Sequence, residues 1–74
     1  MNWNYSKLRG RIRETCGTQE VFAEKIGISY TSLSKRLNNQ IEFTQEDIYK
    51  ACEVLKIGME QVPEYFFYPD SLEN

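Results

Sequence analysis

The sequence predicts an all-α domain of consecutive short helices with a helix-turn-helix at its centre. Three observations lead there. The chain has 74 residues, enough for one domain. Apolar residues recur three and four apart in successive windows, the spacing of one helix face. The windows meet at Gly, Ser and Thr, the residues that stop and start helices. A domain this small buries only about 60% of its unfolded surface, so its core is expected to be thin.

Tyr5, Leu8, Ile12 and Cys16 form the stripe of a first helix, about Tyr5 to Thr15. Gly17 suits a left-handed stop. Thr18 is a candidate N-cap for a second helix whose inner face is Phe22, Ala23 and Ile26. Gly27 ends that helix, and Ser29 caps a third, Tyr30 to about Asn38, with Leu33 and Leu37 turned inward. Thr44 and Asp47 have the spacing of a capping box for a fourth helix lined by Ile48, Ala51, Cys52 and Leu55. Glu60 to Val62 reads as a single turn, which Pro63 keeps short. The expected division is a domain over residues 1–68 and a flexible tail over 69–74.

Composition removes several function classes. No histidine is present, and Cys16 and Cys52 lack a CxxC spacing, so neither a zinc site nor histidine catalysis is expected. Both cysteines fall on apolar stripes and read as small hydrophobes. No phosphate-binding glycine loop and no nucleophile with a base can be assembled. The chain therefore reads as a non-enzyme with no metal, cofactor or small-molecule substrate. Its start lacks the apolar core of a signal peptide, and no apolar run reaches membrane-spanning length, so a cytoplasmic location in a bacterial or phage-infected cell is expected.

The charge is unevenly spread. Residues 1–40 carry seven basic and three acidic residues, a net of +4; residues 41–74 carry two and eight, a net of −6. A local positive field, rather than the total, is what attracts phosphates. The turn "IGIS" is the right length to join two crossing helices. With Leu33 and Leu37 buried, Thr31, Ser34, Lys35 and Asn38 share the outer side of the third helix. Short hydrogen-bonding groups and one cation suit base edges in a major groove. Tyr30 is placed either to pack or to reach outward.

The stretch "TQEVFAEKIGISYTSLSKRLNN" resembles the Cro/C1-type helix-turn-helix family of phage and bacterial repressors, with Gln19, Phe22, Ala23, Ile26, Gly27, Ser29, Leu33 and Ser34 at that family's spacings. The likeness covers roughly residues 5–57, and "VPEYFF" is similar to the ending of small Cro-like phage proteins. It implies a five-helix, lambda-repressor-like DNA-binding domain with the third helix in the major groove of operator DNA. It also implies base contacts from Tyr30, Thr31, Ser34 and Lys35, and phosphate contacts from Gln19 and Asn38, with Asn39 in the same loop a weaker candidate. Arg9 and Arg13 are further phosphate candidates on charge. Two positions depart from the pattern. Arg36 stands where the family is commonly apolar; either the helix is rotated, or Arg36 runs along the core edge and reaches toward phosphate. Some members pair Arg with Glu at the positions of Ile12 and Leu37, which are both apolar here.

Specific operator affinity in such domains usually needs a symmetric dimer. Tyr65, Phe66 and Phe67, three adjacent aromatics, are the candidate dimer or partner contacts, with a core role for at least one. The leading expectation is thus a dimeric, Cro/C1-like DNA-binding repressor. The alternative is a modulator or antirepressor that contacts another transcription factor through its acidic, aromatic C-terminal half.

Overall fold

Helices form where the caps and stripes place them. The computed structural model describes residues 2–70, and among them the fold is all-α with five helices. These are α1 (Ser6–Cys16), α2 (Gln19–Ile26), α3 (Tyr30–Leu37), α4 (Gln45–Leu55) and α5 (Val62–Phe66), with a single 3₁₀ turn at Met59–Gln61 before α5. Thr18 Oγ1 accepts from the Val21 N–H at 3.2 Å, and Ser29 Oγ from the Ser32 N–H at 3.0 Å. Gly17 and Gly27 stop α1 and α2 with φ of +85° and +82°, where a side chain would be strained. Pro63 sits in the first turn of α5, where a helix does not need its missing N–H.

The core is one cluster. Phe22, Phe66, Leu8, Ile12, Ile26, Leu33 and Leu55 are fully enclosed, with Leu37 and Ala51 beside them. Ile12 and Leu37 both join it, so apolar packing occupies the place of an ion pair. Cys52 is buried and Cys16 half-buried against the same cluster. Burial pushes the Cys52 thiol up from its ordinary value.

The two ends of the described chain are sewn together. The Asn4 N–H donates to Tyr68 O at 2.7 Å, the Asp70 N–H to Asn2 O at 3.1 Å, and Trp3 bridges Pro69. Pro69 and Asp70, expected in a flexible tail, therefore pair with the N-terminal segment; residues 71–74 of that expected tail lie outside the described residues. Asn39 fastens this segment to the α3–α4 loop. Its side-chain oxygen accepts from the Trp3 N–H at 2.9 Å, and its amide donates to Trp3 O at 3.0 Å. Asn39 itself sits at φ +63°, a conformation asparagine tolerates.

Asn39→Gly keeps that backbone shape and removes the clamp. It is expected to lower stability by about 1–2 kcal/mol, the loss of two hydrogen bonds. Trp3 is the single tryptophan, so its fluorescence reports the change directly. A red shift is expected, and unchanged emission and stability would contradict the clamp.

Candidate functional site

The posture of α3 is set by one ion pair. Arg36 Nε donates to Asp47 Oδ2 at 2.8 Å, and both side chains are nearly enclosed. The same oxygen accepts the Thr44 N–H at 2.9 Å, while Thr44 Oγ1 accepts the Asp47 N–H at 3.0 Å, completing the capping box of α4. Arg36 Nη1 also donates to Ser32 O at 3.1 Å and bonds Ser32 Oγ. Arg36 thus turns inward to α4, and the expectation that it reaches toward phosphate is corrected. Burial raises the Asp47 carboxyl, but the bonds from Thr44 and Arg36 and the Arg36 charge outweigh it and hold the group below its ordinary value.

The outer face of α3 has Tyr30, Thr31 and Lys35 exposed and Ser34 half-buried. Arg13, Gln19 and Tyr30 meet in a cleft of about 360 Å³ at the N-terminal end of this helix. Asn38 lies at the other end, donating to Ser34 Oγ at 3.3 Å. Arg9, expected as a phosphate ligand on charge, is half-buried and has a role inside the fold. Its guanidinium donates to Leu37 O at 3.1 Å and Asn38 Oδ1 at 3.2 Å, closing the C-terminus of α3. Arg11 does the same for α4, through Leu55 O at 2.9 Å and Lys56 O at 3.3 Å. Asn39, expected as a weaker phosphate candidate, has both ends of its amide engaged with Trp3.

The basic half is therefore largely committed within the protein. Lys7 pairs with Glu64, Arg11 lies 3.7 Å from Glu14, and Arg36 pairs with Asp47. The bond to Glu64 raises the Lys7 ammonium from its ordinary value. Among the described residues, Arg13, Lys25 and Lys35 remain as exposed cations without an acidic partner on α1 to α3.

A second feature lies where the N-terminal segment, the α3–α4 loop and the end of α5 meet. It is an open groove of about 330 Å³, lined by Trp3, Tyr5, Ile41, Glu42, Phe43 and Phe67 among others. Its floor is an aromatic stack: Tyr5 to Phe43 at 5.4 Å and Phe43 to Phe66 at 5.2 Å, both edge-to-face. One wall is Trp3 against Phe67 at 5.5 Å. Burial, and then the Glu42 charge, push the Tyr5 hydroxyl up from its ordinary value. Tyr65 and Phe66, expected as partner contacts, are buried inside the monomer because α5 packs against both α1 and α4. Phe67 is the exposed member of the three, at 46% of its surface. The sequence reading missed Trp3, Ile41 and Phe43. Their signal was apolar bulk outside any helical stripe, at an end and in a loop.

A family described as "Protein of unknown function (DUF739)" matches residues 1–69. The chain belongs to the DUF739 family. It is also similar to the solution structure of the modulator of repression (MOR) of the temperate bacteriophage TP901-1 from Lactococcus lactis. The identity is 40% over 90% of each chain, with a TM-score of 0.79. No curated protein matches it.

These findings correct the Cro/C1-type assignment and, with it, the expected DNA-binding operator repressor. The spacing from Gln19 to Ser34 reports a helix-turn-helix scaffold, which this DUF739 chain carries. Scaffold spacing does not separate one family that uses it from another. The roles carried over to Tyr30, Thr31, Ser34, Lys35, Gln19 and Asn38 lose the family that implied them.

Removing the charge from the α3–α4 pair is expected to be costly. Asp47→Asn leaves Arg36 enclosed without its partner and should lower stability by about 3 kcal/mol at neutral pH. Because the folded carboxyl is held below its unfolded value of about 3.9, its contribution is full above that pH and fades as pH falls through the lower folded value. The stability gap between wild type and variant should therefore narrow below about pH 4 in denaturant titrations. A gap that is constant with pH would contradict the pairing.

Proposed function

We propose that this chain is a modulator of repression that acts by protein contact on a repressor of the phage or prophage carrying it. One observation carries the reading: 40% identity over 90% of both chains to a phage modulator of repression. The engagement of Arg9, Arg11 and Arg36 with carbonyls and with Asp47 supports it, since part of the basic half is used inside the fold. Exposed Phe67 and Tyr68, together with the net of −6 over residues 41–74, supply a surface of another character. No helix among the described residues is long and apolar enough to cross a membrane. The proposed place of action is the cytoplasm, where a repressor works, and the reading assigns no catalysis.

Contact of the α3 face with DNA through Tyr30, Thr31, Ser34 and Lys35 is a finer proposal, conditional on the repressor being present. A homodimer is another, with Phe67 and Tyr68 the exposed aromatics available to it.

The test is calorimetric titration of the purified chain with that repressor, beside a selection from random duplex DNA with the chain alone. Saturable binding to the repressor, and no enriched DNA motif, is the expected outcome. Enrichment of a specific motif without any repressor binding would overturn the proposal. Deleting residues 63–74 is unsuitable as a test, because it removes Tyr65 and Phe66 from the core.

A further inference from the structure

The groove between the N-terminal segment, the α3–α4 loop and α5 gathers exposed apolar side chains from separate parts of the chain. Ile41 and Phe67 are 42% and 46% exposed on its rim, and Tyr68 follows at 51%. Large apolar groups gathered at one place mark contact surfaces more often than isolated ones do. The charge at this place has one sign. Glu42 lines the groove, and Asp70 follows Pro69, which bridges Trp3 on the groove wall. Neither carboxylate forms an ion pair among the described residues. Arg9, which reaches Asn38 next to this loop, bonds through Nη2 to Leu37 O and Asn38 Oδ1 and forms no ion pair with either carboxylate. The groove therefore offers aromatic walls and, among the described residues that line it, one charged group, the Glu42 carboxylate.

We infer that this groove is where the repressor docks, receiving a segment that carries an apolar or aromatic side chain flanked by lysine or arginine. The inference rests on the proposed function and names its surface. At about 330 Å³ the groove is at the small end of ligand-sized sites, which suits one or two anchoring side chains rather than a whole helix. Tyr5 and Phe66 are buried beneath the groove and hold the half-buried Phe43 edge-to-face between them, so the apolar surfaces such an anchor meets are those of Phe43, Ile41 and Phe67. A cation beside the anchor would meet Glu42, so complementarity selects a basic segment over an acidic one.

The experiment titrates the repressor of the same phage or prophage into wild type, Phe67→Ser, Glu42→Lys, Glu42→Gln and, as a control on the exposed side of α4, Tyr49→Ser. Folding is checked by circular dichroism; the Glu42 variants change an exposed loop side chain and keep the test open if Phe67→Ser loosens the Trp3 wall. Phe67→Ser and Glu42→Lys are expected to weaken binding at least about tenfold, with Tyr49→Ser unchanged. Glu42→Gln should reduce the salt dependence of binding. If wild type binds and the groove variants bind equally well, the groove assignment is overturned and the proposed function stands. Failure of wild type to bind overturns both. If the groove variants abolish self-association in sedimentation without touching repressor binding, the occupant is a second copy of this chain and the inference is overturned.

Discussion

One carboxylate oxygen holds the helix-turn-helix in place. Asp47 Oδ2 accepts from the backbone of Thr44 and from Arg36 Nε, so the group that starts α4 also ties α3 to it. Arg36 returns a bond to Ser32 O, one turn back along α3. A core built on a few large side chains has little redundancy, and an 8-residue helix has little stability of its own. The pair fixes the rotation of α3 about its axis, and that decides which residues face outward. Charges enclosed to this extent are costly to separate and give modest net gain when paired. Their effect is on position more than on total stability.

The same economy runs through the other arginines. Short helices leave unsatisfied carbonyls at their C-termini. Arg9 and Arg11, two residues apart on α1, reach opposite neighbours and close α3 and α4 respectively. Part of the basic character of the N-terminal half is architectural, through Arg9, Arg11 and Arg36, while Arg13, Lys25 and Lys35 stay exposed. Residues that on charge alone suggested a phosphate-binding face are the ties of a small bundle. What remains exposed is a polar α3 face on one side and an acidic, aromatic groove on the other.

Much of the fold was legible because caps and stripes are local. Thr18, Ser29 and the Thr44–Asp47 box lie within three residues of what they bond, and Leu8, Ile12, Leu33 and Leu37 announce their faces by spacing. The Arg36–Asp47 pair spans eleven residues and the Asn39–Trp3 clamp thirty-six. No local pattern encodes either. A core role for one of Tyr65, Phe66 and Phe67 was legible, but the burial of two adjacent ones was hidden for a related reason. Adjacent residues on a helix diverge by about 100°, but α5 is covered by two helices and so encloses both. Function was the least legible. The residues from Gln19 to Ser34 specify a scaffold, and a scaffold fits a protein that contacts a repressor as well as one that contacts an operator.

The central claim is that this chain acts through protein contact at its acidic, aromatic face. The most direct measurement is a nuclear magnetic resonance titration of the isotope-labelled chain with the repressor of the same phage or prophage. The account predicts shifts concentrated at the Trp3 indole and at Ile41, Glu42 and Phe67, with the outer face of α3 little changed. Shifts confined to Tyr30, Thr31, Ser34 and Lys35, or none at all at saturating repressor, would contradict it.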